Sequence, residues 1–224
     1  MTFMKNPNII YCDFDGTVTK EDSVNKFLAE FADPKWLDVE EQWVRGDIGS
    51  KECLSRQVEL LRDFSSSELD EYVDSIQIDE TFVDFCETIK QNGWELIIVS
   101  DGFDFFIERI LKRHGLDIPF FANTLTLQNN KLHIDFNFSD SSCPNASGMC
   151  KCARAITKDF YYIGDGLSDV CIAAKAKLLF AKNSLQKYCE KEGMDYVSFD
   201  TFGDILDYFS QKGDLNAKLS YINN

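Results

Sequence analysis

The sequence predicts an α/β protein in which a doubly wound, mostly parallel sheet carries a helical cap inserted after its first strand. Short, nearly continuous apolar runs recur with helical patterns between them, as strands buried on both faces of a parallel sheet require. The segment 21–77 breaks this alternation, with helix signals and no strand pattern. Clusters of aspartate, serine and glycine follow three of the apolar runs directly, at the strand ends where an open α/β sheet forms its binding crevice.

The first strand is read at 8–14, where Ile9, Ile10 and Tyr11 lead into Asp13. Inside the insert, Ser50 stands where it would cap a helix carrying Leu54, Val58 and Leu61. Ser65 and Glu68 have capping-box spacing ahead of Leu69, Tyr72, Val73 and Ile76. Phe82, Phe85, Cys86 and Ile89 then share one helical face, and Asn92-Gly93 ends that helix. The second strand is read at 94–100, followed by a helix carrying Phe103, Ile107, Ile110 and Leu111 up to His114-Gly115. Two alternating runs flank Asn129-Asn130, both tolerant of positive φ, and predict a β-hairpin over 125–136. Lys151 opens a short helical pattern, with Lys158 expected at its far end. Further strands are read at 160–164, 177–181 and 196–199. The expected division is a core of residues 1–20 and 78–224 and a cap of residues 21–77.

Hydrophobic residues make up 44% of the 224, enough for a sizeable core, which excludes global disorder. A formal net charge of −15 argues against nucleic acid held on a general basic surface. No apolar run reaches the roughly 18 residues of a membrane span. Residues 1–10 lack the apolar stretch of a secretory signal, so the cytoplasm is the expected location. Cysteines at 12, 53, 86, 143, 150, 152, 171 and 189 mostly sit singly in apolar patterns, as reduced, packed thiols do. Cys143, Cys150 and Cys152, with His133 upstream, lack the CxxC pair of zinc sites; reduced thiols are expected there, with zinc or a disulfide as alternatives. Composition leaves the oligomeric state open.

The chemistry concentrates in three motifs: Asp13-Phe-Asp15-Gly16-Thr17, Ser100-Asp101-Gly102, and Gly164-Asp165-Gly166-Leu-Ser-Asp169. Asp13, Asp15, Asp165 and Asp169 brought to one crevice would repel one another without a cation, and hard oxygen donors suit Mg²⁺. A calcium loop is excluded, because counting from Asp13 its twelfth position is Val24. A dinucleotide fingerprint fits poorly, since Asp169 replaces its third glycine and the motif comes late in the chain.

In order and at strand ends, these motifs resemble those of the haloacid dehalogenase-like phosphohydrolases, over essentially the whole chain. The resemblance implies that Asp13 is a nucleophile forming an aspartyl-phosphate and that Asp15 is the acid and then the base. It implies that Ser100, the Asp101-Gly102 segment and Lys151 hold the phosphate, with the Asp101 carboxylate turned away. It also implies Mg²⁺ at Asp13, the Asp15 backbone carbonyl and Asp165, with Asp169 ligating it or orienting a bound water. The cap position resembles the phosphoserine phosphatase-like branch. The stretches 15–23, 99–111 and 161–193, with the tryptophan-bearing cap (Trp36, Trp43) and the cysteine-bearing stretch before Lys151, resemble the narrower methionine-salvage group acting on 2-hydroxy-3-keto-5-methylthiopentenyl-1-phosphate. Asp22, Trp43, Arg45 and Arg56 are the cap residues expected at the substrate, with Gln57 aligning about as well as Arg56. A phosphoserine phosphatase, a phosphotransferase and a non-catalytic binding protein are the alternatives. The intact set Asp13, Asp15, Lys151 and Asp165 favours an enzyme acting on a small phosphomonoester.

Overall fold

The computed structural model describes residues 8–157 and 159–215, so the expectation for Lys158 lies outside the described residues. β1 (Ile9–Cys12) leads into a cap of α1 (Ser23–Phe31), α2 (Trp36–Val44), α3 (Ser50–Glu59) and α4 (Ser66–Ser75). The chain then returns through α5 (Phe82–Gln91), β2 (Glu95–Phe103), α6 (Asp104–Arg113) and the hairpin β3 (Phe120–Gln128) and β4 (Lys131–Asp135). The last part holds α7 (Lys151–Arg154), β5 (Phe160–Gly164), a 3-10 turn at Leu167–Asp169, α8 (Val170–Ala173), β6 (Leu178–Ala181), α9 (Asn183–Glu192), β7 (Val197–Ser198) and α10 (Phe202–Lys212).

One seven-stranded sheet runs in the order β4-β3-β2-β1-β5-β6-β7, parallel throughout except for the β3–β4 hairpin. β1 therefore has β2 on one side and β5 on the other. The chain moves outward from β1 in one direction, then crosses back to continue in the other. That switch point opens a crevice at the carboxyl end of β1. Ile10, Cys12 and Ile98 face an apolar layer with Phe85, Phe106 and Phe209, while Tyr11, Val99 and Tyr162 face a second with Ile172 and Leu185. Both faces are covered, which is why the strand sequences carry little alternation.

Local chemistry sets the element ends. Ser65 and Glu68 form the expected capping box on α4. Asn129 and Asn130 turn the hairpin with φ of 49° and 66°, which their short polar side chains tolerate. Two expectations are corrected. The second strand runs on to Phe103, so this residue belongs to β2 and not to the following helix. Gly49 is the N-cap of α3; Ser50 is its first residue and turns its hydroxyl to Asp101 instead, while Leu61 lies beyond the helix.

The cap does not carry a separate apolar centre. Phe27, Leu54, Val58, Phe64 and Tyr72 run into the same buried cluster as Phe103 and Phe106. The Phe27 ring lies 4.8–5.4 Å from those of Phe31, Phe64, Tyr72 and Phe106, and it is fully buried. Arg109 of α6 bridges Asp70 and Asp74 of α4, and Arg113 donates to the carbonyls of Val73, Asp74 and Ile76 at the end of that helix. Phe27→Ala is expected to cost about 3–5 kcal/mol in urea unfolding. A loss below about 1 kcal/mol would show that the cap melts independently of the sheet.

Candidate active site

The site begins where β1 ends. The Phe14 carbonyl accepts the N–H groups of Thr17, Val18 and Thr19 at 2.8–3.2 Å, curling the backbone sharply. Gly16 makes that curl possible, with φ of 75°. A Cβ there would also stand 2.6 Å from Asp165 Oδ2. Phe14 turns into the core, whereas Asp13 and Asp15 both line the same cavity on the other side.

Asp15 is held from two elements. Ser23, the first residue of α1, donates to Oδ1, and Ser100 Oγ of β2 donates to Oδ2 at 3.0 Å. Gly102 N–H donates in turn to Ser100 Oγ at 2.9 Å. A Cβ on Gly102 would fall 2.0 Å from the Asp15 carboxylate, so the Ser100-Asp101-Gly102 motif needs glycine for close approach. The Asp101 carboxylate accepts from Ser50 Oγ, Asn123 Nδ2 and the Met149 N–H, clamping the cap to the loop after the hairpin.

Lys151 lies beneath the cavity floor, 2% exposed at the start of α7. Its Nζ reaches Asp13 Oδ1 at 2.8 Å, Asp169 Oδ1 at 2.5 Å and Ser168 Oγ at 3.2 Å. Asp169 also accepts from Tyr162 OH at 2.5 Å and from the N–H groups of Asp165 and Gly166, each at 3.0 Å. Four donors use the roughly four lone-pair sites of its carboxylate. Asp165 receives Thr17 Oγ1 at 2.9 Å and Asn183 Nδ2 at 3.2 Å.

One carboxylate oxygen each from Asp13, Asp165 and Asp169 lie within 4.8 Å of one another. Burial foremost, then Asp169, pushes the Asp13 carboxyl well up, with Lys151 working against the shift. Burial and Asp169 likewise bring Asp165 up to about 6. Asp15 is pushed up to about 7, by burial and then by Asp22, against the hydrogen bonds from Ser23 and Ser100. Burial opposes charge on Lys151, yet Asp13 and Asp169 outweigh it and hold the ammonium firmly protonated.

Above this floor is a cavity of about 340 Å³. Its cap side presents Asp22, Val24, Asn25, Glu40, Trp43, Val44, Cys53, Leu54 and Gln57, and Leu167 closes the other wall. Asp22 and Trp43 stand where the sequence expected them to be useful. Arg45 and Arg56, the other two cap residues the sequence singled out, are not among the residues that line the cavity. Arg45 is spent on Asp47 and Glu41, and Arg56 on Gln42 and Glu52. Gln57, one residue from Arg56 and about 100° round the helix, turns inward and donates to Glu40 Oε2 at 2.9 Å. Ser23, Glu40, Ser50 and Tyr162 also contact the residues of this site, and the sequence did not single them out for it. His133, Cys143, Cys150 and Cys152 do not assemble a metal-binding group among the described residues, and all eight cysteines are free.

The chain matches known proteins over nearly its whole length. The 2-hydroxy-3-keto-5-methylthiopentenyl-1-phosphate phosphatase of Exiguobacterium sp. is 31% identical over 206 residues, covering 89% of this chain and 95% of the relative. The enzyme of the same name from Bacillus velezensis is 30% identical over 223 residues, covering 96% and 95%. Among solved structures, a phospho-aspartyl intermediate analogue of phosphoserine phosphatase superposes with a TM-score of 0.69 at 23% identity, covering 91% of this chain and 99% of that one. A substrate-bound phosphoserine phosphatase superposes with a TM-score of 0.68 at 21% identity, with the same coverage. The haloacid dehalogenase-like hydrolase profile matches residues 10–174, from the β1 motif through the Asp165–Asp169 loop, so the chain belongs to the haloacid dehalogenase-like hydrolases and, with these relatives, to their phosphatases.

Proposed function

We propose that this phosphatase hydrolyses a small, uncharged-headed phosphomonoester in two steps, with Asp13 as the nucleophile. The observation that carries the mechanism is the Lys151–Asp13 contact of 2.8 Å under a cavity that Asp13 and Asp15 line together. In the first step Asp13 attacks phosphorus while Asp15 gives a proton to the leaving oxygen. In the second, Asp15 takes a proton from the water that cleaves the aspartyl-phosphate. A carboxyl near pH 7 suits both duties. Lys151 offsets the charge of Asp13 against the incoming phosphate, and the Ser100-Asp101-Gly102 segment lines the same cavity, where its polar groups would meet the phosphoryl oxygens.

The donor set fits Mg²⁺. Asp13 and Asp165 are hard oxygen donors that, with Asp169, bring carboxylate oxygens within 4.8 Å of one another, and Asp169 is already engaged by four donors. Asp13, the Asp15 carbonyl and Asp165 would hold the ion, which when bound offsets charge on the phosphoryl oxygens.

The cavity lining supports the substrate class. It contains no arginine or lysine among the described residues. The carboxylate of phosphoserine would sit beside Asp22 and Glu40 with no cation to meet it, a costly arrangement in a partly dry cavity. The apolar group Val24, Trp43, Val44, Leu54 and Leu167 instead suits a methylthio chain, while Glu40, Gln57 and Asn25 suit hydroxyl and keto oxygens. This favours a substrate like that of the methionine-salvage relatives. A steady-state panel tests it. The methylthio enol-phosphate is expected to exceed phosphoserine by about 100-fold or more in kcat/KM. EDTA is expected to remove activity and added Mg²⁺ to restore it. Preference for phosphoserine would overturn the substrate reading; full activity in EDTA would overturn the metal.

A further inference from the structure

Behind Lys151 and Asp169 lies a feature that phosphoryl transfer does not use. Cys152 follows Lys151 on α7, and Cys171 stands two residues after Asp169 on α8. Their Sγ atoms are 3.1 Å apart, and both residues are half-buried. The two one-turn helices thus meet through a thiol pair on one side and through the Lys151 contacts to Asp169 and Ser168 on the other. We propose that Cys152 and Cys171 are a redox-active dithiol that takes a disulfide oxidant, and that closing it into a disulfide displaces Lys151 and lowers turnover reversibly; the second half rests on the phosphatase reading above.

Geometry and chemistry agree on the attacking thiol. A disulfide needs its sulfurs about 2.05 Å apart, so closure brings the two Sγ atoms about 1 Å nearer and draws α7 toward α8. Cys152 is brought down to about 7, by its hydrogen bond with Cys171 first and, against some burial, by Lys175. That gives Cys152 a ready thiolate near neutral pH. The Cys152 thiolate attacks one sulfur of the oxidant, and the first thiol leaves with the electron pair. Cys171 then loses its proton and attacks Cys152 Sγ, expelling the second thiol. Two electrons and two protons have passed from the pair to the oxidant. The approach moves the turn that carries Lys151, whose three contacts span 2.5–3.2 Å. A shift of about 1 Å in such a group costs about 10–100-fold in rate.

The neighbouring thiols provide an internal comparison. Cys150 is buried and pushed up, by burial foremost, so it is a poorer nucleophile than Cys152. Cys143 lies nearer the surface, its Sγ 3.6 Å from Ser147 Oγ.

The test treats the full chain with glutathione disulfide and maps disulfides by peptide mass spectrometry, with steady-state kinetics before and after dithiothreitol. A Cys152–Cys171 bridge is expected. With it, kcat should fall about 10–100-fold with KM little changed, and dithiothreitol should restore it. Cys171→Ser, a residue outside the catalytic set, should keep its kcat through the same treatment. No Cys152–Cys171 bridge, a Cys143–Cys150 bridge in its place, an unchanged kcat in the bridged enzyme, or equal inhibition of Cys171→Ser would each overturn the proposal. The bridge in a chain with no phosphatase activity would support the dithiol and count against the phosphatase reading instead.

Discussion

Asp13→Asn is expected to stop turnover, lowering kcat by about four orders of magnitude or more, while leaving the fold in place. The amide keeps the shape of the side chain and cannot form the covalent intermediate. The structure argues that folding survives. Asp13 is an acid that burial already pushes toward its neutral form, so an uncharged replacement removes a group the fold charges reluctantly. Lys151 keeps Asp169 and Ser168 as partners, so no ammonium is stranded. Single-turnover kinetics with circular dichroism and a thermal melt check both halves. Wild-type turnover in this variant would refute the assigned nucleophile.

Lys151→Met is the opposite case and is expected to lose both activity and stability. The lysine lies between two buried carboxylates, with side-chain exposures of 6% for Asp13 and 0% for Asp169. Removing it leaves like charges facing each other in a poorly solvated space. Breaking a buried ion pair on one side costs about 3–5 kcal/mol. For a chain of this size that is about 6–20 °C in Tm. Mg²⁺ is expected to return part of the loss, because a cation bound near Asp13 and Asp165 replaces some of the missing positive charge. Thermal melts with and without Mg²⁺ read this directly. A melt within about 1–2 °C of wild type would show that Lys151 carries no structural charge compensation.

The two variants differ because the same ion triad has unequal members. One carboxylate can be neutralised while the other still holds the lysine. The single cation has no substitute among the described residues: Lys182, which donates to the Thr17 carbonyl at 3.2 Å, points to the other side of the Asp13–Thr17 turn.

Features that depend on near neighbours were legible in the residues. The capping box at Ser65 and Glu68, the hairpin at Asn129-Asn130 and the helix stops at Gly93 and Gly115 depend on the residues beside them. The clustering of Asp13, Ser100 and Asp165 followed from strand ends, since a parallel sheet delivers its carboxyl ends to one edge whatever the loops do. Lys151 came through the resemblance of its motif, and the structure shows why it must be lysine: a buried ammonium meets Asp13 and Asp169 at once.

Other features required tertiary packing. Arg56 and Gln57 are adjacent, and the sequence could not choose between them. α3 packs Leu54 and Val58 inward and lays its first residues on the Asn145–Gly148 loop, and that rotation turns Gln57 to the cavity and Arg56 to solvent. Glu40 and Trp43 reach the same cavity only because α2 packs across α3. Cys171 gained a partner nineteen positions away when two short helices met. The sequence by itself determined the sheet, its acidic edge and the order of the catalytic motifs, because strand alternation, capping and backbone turns act over a few residues. Only the tertiary structure decided which cap side chains line the cavity and which thiols meet each other. Those depend on how each helix is rotated about its axis, and that rotation is set by long-range contacts such as Phe27 with Phe106.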